Sequence, residues 1–251
     1  MADPMFDLTG KVALITGGSR GLGREMALAF ADAGADVIIS SRNIDACEAV
    51  ASEIGDKGRR ALAIAAHAGR WDEVDRLIDA AYAAFGRIDV LVANAGMSPA
   101  VSSHEISEKL FDSVVSLNFK GPFRLASAVA HRMAQGDGGS IIFTSSTAAL
   151  EPSPKVVPYA GAKAALLALT SSLAHEYAPR VRVNAIAAGP FLTDISKAWA
   201  DVDRETARNA LGRPGRPEEI VGTALYLASA ASSFVTATTI RCDGGTCRSQ
   251  Y

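Results

Sequence analysis

Tyr159 and Lys163 stand four residues apart in the stretch VPYAGAKAALLAL, and Ser146 precedes the tyrosine by thirteen residues. A phenol ionises near pKa ~10, so an unassisted tyrosine is a poor acid–base group at neutral pH. A lysine at i+4 projects from the same helix face, one turn further on. Its positive charge favours the phenolate and would draw the tyrosine's pKa toward the working range. A serine hydroxyl brought alongside could hold a substrate oxygen while the tyrosine exchanges a proton with it. Tyr-x-x-x-Lys also arises by chance on many helices, so its weight depends on the rest of the chain.

A second stretch, KVALITGGSRGLGREMALAF, reads as strand, Gly-rich turn and helix. Gly17, Gly21 and Gly23, with Ser19, Arg20 and Leu22 among them, form Thr-Gly-x-x-x-Gly-x-Gly. Glycines permit a tight turn and let the backbone approach a pyrophosphate that the helix N-terminus attracts. The spacing differs from the common Gly-x-Gly-x-x-Gly. An acid at the end of the second strand would accept hydrogen bonds from the ribose 2′-hydroxyl of NAD. This chain has Ser40, Ser41 and Arg42 there, and no acid until Asp45. Arg20 in the turn could approach the same ribose. Guanidinium groups and hydroxyls suit a 2′-phosphate, so the expected cofactor is NADP(H) in preference to NAD(H). The simpler account leaves Arg42 as a solvated loop residue.

The elements that must position these groups alternate along the whole chain. Runs at 11–16, 36–41, 60–65, 88–94, 139–146, 181–188 and 238–245 read as strands, most of them apolar throughout, as in a sheet buried on both faces. Helical patterns lie between them at 22–33, 43–55, 72–85, 107–134, 158–177 and 217–229, the last opened by Pro217, Glu218 and Glu219. Such alternation predicts an α/β fold, a parallel sheet with helices on both faces. No repeat or linker divides the chain, so residues 1–251 read as a single domain. The interval 190–216 breaks the alternation and reads as a substrate lid after a strand's carboxyl end.

Composition narrows the function. Of 251 residues 49% are hydrophobic and only 6% aromatic, which calls for an aliphatic core. A formal net charge of −2 without a basic run argues against nucleic acid or an anionic membrane surface as partner. Runs such as VALIT and VIIS are too short to span a bilayer, and MADPMFDLTGK is not a signal peptide. Cys47, Cys242 and Cys247 have neither metal-site spacing nor an even count, so no metal is expected. A cytoplasmic protein acting on a small molecule is the expectation.

With the glycine turn and the Tyr159–Lys163 pair in hand, the chain resembles the short-chain dehydrogenase/reductase family, in its short single-domain branch, from about Leu8 to Gly245. ANAG (93–96) is similar to the family's Asn-Asn-Ala-Gly, with Ala93 in place of the first asparagine and with Asn94, Ala95 and Gly96 matching. Asn118 in SLNFKG matches the family's catalytic asparagine. AAGPFLT (187–193) resembles its Pro-Gly turn, with Ala188 in place of proline, Gly189 matching, and Thr193 as the threonine that follows. GRPGRPEEIVGTALYLAS and DGG resemble its C-terminal stretch. His67 and Ala68 stand where members usually carry an Asp–hydrophobic pair; no chemistry is assigned to His67.

The resemblance implies a Rossmann-type doubly wound sheet of about seven strands and an NADP-dependent oxidoreductase. Tyr159 would be general acid in carbonyl reduction and base in alcohol oxidation. Lys163 would lower its pKa and hold the nicotinamide ribose, Ser146 would position the substrate oxygen, and Asn118 would hold a relay water. Thr193 and the backbone near Ile186 would orient the carboxamide. A homotetramer is also implied, built on the helices at 107–134 and 158–177. The small residues of AGAKAALLALTSSLA would let two such helices approach closely.

The leading substrate is a ketone or 3-oxoacyl carbonyl, as in 3-oxoacyl-(acyl-carrier-protein) reductase-like members; sugar or polyol dehydrogenases share the same motifs. A non-catalytic NADPH-binding regulator should have lost the tyrosine or lysine, which this chain keeps. A sugar-nucleotide epimerase or dehydratase needs a further substrate domain, for which 251 residues leave little room. Expected substrate-pocket walls are Met97, Ser98, Glu151, Val157, Phe191 and Trp199, mostly apolar.

Overall fold

Strand-forming runs that are apolar on both faces can be buried only inside a parallel sheet sandwiched by helices, and that is the arrangement adopted. The structure is a computed structural model and describes residues 4–194, 196 and 207–247. Strands β1 (Val12–Thr16), β2 (Asp36–Ser41), β3 (Ala61–Ala65), β4 (Val90–Ala93), β5 (Gly139–Ser146), β6 (Val181–Ala188) and β7 (Thr239–Cys242) form one sheet in the order β3-β2-β1-β4-β5-β6-β7. Every pairing is parallel. Strand order reverses between β1 and β4, so the connections leave in opposite directions and open a crevice at the carboxyl ends.

Alternate residues of each strand feed two cores. Leu14, Ile38, Leu91 and Phe143 face α3 (Trp71–Phe85), α5 (Gly121–Gln135) and α6 (Val157–Glu176). Ile15, Ile39, Val92 and Ile142 face α1 (Gly21–Asp32), α2 (Ile44–Asp56) and α7 (Val221–Ala228). Asn43 and Ser107 cap the helices that follow them, their side-chain oxygens accepting from Ala46 N and Leu110 N.

The helix expected at 107–134 runs over 108–135 with an unbroken right-handed backbone but is not α-helical throughout. It is α4 (Glu108–Val115), a wide π turn over Ser116–Lys120, then α5. Asn118 lies inside that turn and its amide donates to the Val114 carbonyl at 2.9 Å, entering the ladder that the backbone would otherwise close. Gly121 follows because the chain after β3 presses against it: a Cβ there would lie 1.7 Å from the Ala68 carbonyl oxygen. The pattern at 217–229 begins as a 3₁₀ turn, Pro217–Ile220, before α7.

The excursion at 190–216 has joined feet. Phe191 forms a parallel bridge with Gly215; Leu192 N donates to Gly215 O at 2.9 Å and Gly215 N to Pro190 O at 2.8 Å. Residues 195 and 197–206, with Trp199 among them, lie outside the described residues. Among those described, no helix is long and apolar enough to cross a membrane, and no cluster of three metal-binding side chains occurs.

Candidate active site

The β1–α1 junction builds one end of a cleft of about 1040 Å³. Gly17 and Gly21 take left-handed φ values of +65° and +54°, where side chains other than glycine are strained. Gly17 N and Gly18 N donate to Ser40 O, which sets the glycine turn directly against the end of β2. Gly23 does not line the cleft; a Cβ there would lie 2.2 Å from Gly17 O, so it closes the turn on the helix. Arg20 caps α1 without a side-chain hydrogen bond, leaving the helix's first N–H groups toward the cleft as an anion site. Ser19, Arg20, Gly21, Leu22, Ser41 and Arg42 line this end. The Ser41 hydroxyl also holds its own turn, accepting from Asn43 N at 3.2 Å.

Asn94 joins this end to the rest. Its Nδ2 donates to Thr16 O and Gly17 O at 3.2 and 3.3 Å, and its N–H reaches Thr16 Oγ1. Asn94, Ala95 and Gly96 line the cleft. A Cβ on Gly96 would meet Asn118 Oδ1 at 2.7 Å and Lys163 Nζ at 3.4 Å. The glycine is therefore what lets the end of β4 pass between those two polar groups.

Ser146, Tyr159 and Lys163 meet at the other end. Ser146 ends β5 and lines the cleft beside Tyr159, its hydroxyl accepting from Ala148 N at 3.2 Å. Lys163 is buried at 3% exposure, donates from Nζ to Thr144 O at 2.7 Å, and lies 5.7 Å from the centre of the Tyr159 ring. Burial lowers its pKa to about 8, because a desolvated ammonium is disfavoured. Burial raises that of Tyr159, and the neighbouring Ser146 side chain opposes the rise. This is opposite to the expected drop: removal from water is the largest influence on the phenol. Asn118 is fully buried behind the cleft, its Nδ2 donating to Met97 O and its Oδ1 accepting from Met97 N.

Gly189 and Thr193 line the cleft at the end of β6. A Cβ on Gly189 would lie 2.5 Å from Asp243 Cα, so the DGG turn buttresses this loop. Thr193 approaches the glycine turn, and Arg20 and Asp194 form an ion pair at 2.8 Å between the two. Among the expected pocket walls, Ser98 and Phe191 line the cleft, whereas Met97, Glu151 and Val157 do not. Met97 serves Asn118 through its backbone, and Val157 is 52% exposed at the start of α6.

Sequence reasoning passed over Thr144, Asn43, Val156 and Thr246, which line the cleft. The strand period could have found Thr144, two residues before Ser146; its hydroxyl is buried without a partner among the described residues. His67 caps its own turn, Nδ1 accepting from Gly69 N at 3.1 Å, while Ala68 lines the cleft beside it.

A family model described as short chain dehydrogenase matches residues 11–203. The chain is 37% identical to the 2-dehydro-3-deoxy-D-gluconate 5-dehydrogenase of Escherichia coli K12, over 96% of each protein. A short-chain type dehydrogenase/reductase from Mycobacterium marinum superposes with a TM-score of 0.92 at 40% identity, covering 97% of this chain and 98% of that one. The 3-ketoacyl-(acyl-carrier-protein) reductase of Brucella melitensis, in complex with NADH, does so with 0.87 at 33%, covering 95% and 99%.

Proposed function

The chain belongs to the short-chain dehydrogenase/reductase family, and on that premise we propose that it is an NADPH-dependent reductase of a ketone or 3-oxoacyl carbonyl, yielding a secondary alcohol. The observation that carries the reading is the convergence of Ser146, Tyr159 and Lys163 on one end of the cleft, with Lys163 buried and held by Thr144 O.

The cleft's residues fit a dinucleotide. The uncapped N-terminus of α1 and the glycine turn would hold the pyrophosphate, Arg20, Ser41 and Arg42 the 2′-phosphate, and Lys163 the nicotinamide ribose. Asn94, Ala95 and Gly96 would wall its middle, and Gly189 and Thr193 would orient the carboxamide end. When bound, a nicotinamide cofactor supplies or accepts the hydride. Ser146 Oγ would accept or donate to the substrate oxygen and hold it beside Tyr159. Burial keeps the Tyr159 phenol protonated at neutral pH, which suits a proton donor to the oxygen of a carbonyl under reduction. Asn118, at the π turn, would hold a water toward Lys163. Ser98 and Phe191 would contact the substrate, joined by Trp199 if the 190–216 excursion acts as the lid.

A sugar-acid or polyol dehydrogenase is the second reading, favoured by the similarity to the Escherichia coli enzyme. NADPH oxidation measured against ketones, 3-oxoacyl thioesters and keto-sugar acids decides between them; turnover of the keto-sugar acids alone would replace the first reading by the second. A cytoplasmic setting belongs to the same proposal, supported by three free thiols. So does a homotetramer, supported by the exposed rings of Trp71, Phe111 and Phe123 on α3, α4 and α5.

A further inference from the structure

Arg20 is shared between two places in the cleft. It stands in the glycine turn, whose Gly17 and Gly18 N–H groups bond to Ser40 O at the end of β2, next to Ser41 and Arg42. On its other side lies the first foot of the 190–216 excursion, where a Cβ on Gly21 would meet Thr193 Cγ2 at 3.4 Å. Arg20 turns to that side: its NH1 group lies 2.8 Å from Asp194 Oδ2. Among the described residues, Arg20, Arg42, Lys163 and Asp194 are the charged ones that line the cleft. Asp194 is thus the single carboxylate among them, and it engages one of the two guanidiniums suited to a phosphate.

We propose that Asp194 is a cofactor-specificity residue that acts through Arg20. By holding the guanidinium it opposes binding of a 2′-phosphorylated adenosine, and leaves a 2′-hydroxyl ligand unaffected. Arg20 cannot give its donor fork to both anions at once, so a 2′-phosphate must draw it from the carboxylate. The Arg20 side chain is 70% exposed and that of Asp194 32%. In so wet a setting an ion pair is weak, which makes the competition shallow and the arginine easy to recruit. Coupling is reciprocal: occupancy of the phosphate site loosens the tie between the glycine turn and the Thr193–Asp194 foot. The carboxylate would then narrow the margin between NADPH and NADH without abolishing it.

This inference rests on the reading of Arg20 and Arg42 as phosphate ligands, and the test separates the two. Calorimetry with 2′,5′-ADP and with 5′-AMP reads the phosphate directly. Asp194→Asn should tighten 2′,5′-ADP and NADPH by about two- to fivefold, the range of an exposed ion pair, and leave 5′-AMP and NADH unchanged. Asp194→Glu, which keeps the charge, should behave as wild type. In an Arg20→Ala background Asp194→Asn should have no effect, because the cycle removes the shared partner. An equal change for phosphorylated and unphosphorylated ligands, or none for either, would overturn the proposal while the NADP reading stands. If the wild type binds 2′,5′-ADP no more tightly than 5′-AMP, the NADP reading itself falls and the proposal with it.

Discussion

The Lys163 ammonium donates to the Thr144 carbonyl at 2.7 Å from a position that is 3% exposed. Its folded pKa of about 8 lies below the ordinary 10.5. Between those values the unfolded chain binds more protons than the folded one, so stability rises with pH across that window and is lowest below about 8. There the buried ammonium costs about 3 kcal/mol. Lys163→Met should therefore melt higher than wild type at pH 7, with the gain shrinking toward pH 10.5, while turnover is lost. An equal or lower melting temperature at pH 7 would mean that the bond to Thr144 outweighs the cost of burial.

Tyr159→Phe removes the phenol and keeps the ring. Carbonyl reduction should fall by about 10²–10⁴, the range for a positioned general acid, with cofactor affinity unchanged in a fluorescence titration. In the intact enzyme kcat/KM for reduction should be level below pH 8 and fall above it, as Lys163 loses its proton. Near-full activity of the variant would refute the assignment.

Ser41 sits at the junction of β2 and α2, where Asn43 N donates to its hydroxyl. Ser41→Asp keeps an acceptor for that turn and places a charge against a 2′-phosphate. The ratio of NADPH to NADH affinity should drop about tenfold or more, equivalent to ~1.4 kcal/mol. A ratio that does not move would show that the phosphate is not bound there.

Trp71 and Phe123 pack ring to ring at 6.3 Å on adjacent helices, and both stay exposed along with Phe111. If this face joins subunits, light scattering should give about four times 26.1 kDa for the wild type. Phe123→Glu should give a smaller species. A wild-type mass near 26.1 kDa would count against the assembly.

What the sequence could disclose was governed by range. The i, i+4 spacing of Tyr159 and Lys163 and the glycines at 17 and 21 are local, and the strands β1, β2, β5 and β6 are apolar runs readable by composition; these were legible within a residue or so of their observed ends. The π turn at Ser116–Lys120 was not, because Asn118 opens it in concert with the chain that Gly121 admits from beyond β3. Nor was the direction of the Tyr159 shift: charge proximity can be read from spacing, whereas desolvation depends on everything packed around the pair. The partner taken by Arg20 was hidden for the same reason, since Asp194 belongs to a loop at the far end of the chain.

The joined feet of the excursion after β6 carry a consequence for how such an enzyme can change. Leu192 and Pro190 are fastened to Gly215 by backbone bonds, and Leu211 N donates to Gly244 O, so the two limbs of the excursion are anchored beside β6 and the turn after β7. Doubling the length of such a segment costs only about 0.6 kcal/mol in closure entropy. New sequence can be spliced between Thr193 and Pro214 without moving Ser146, Tyr159 or Lys163, which lie on β5 and α6. If the excursion is the substrate lid, substrate choice and proton transfer are separable: one can be rewritten while the other is kept.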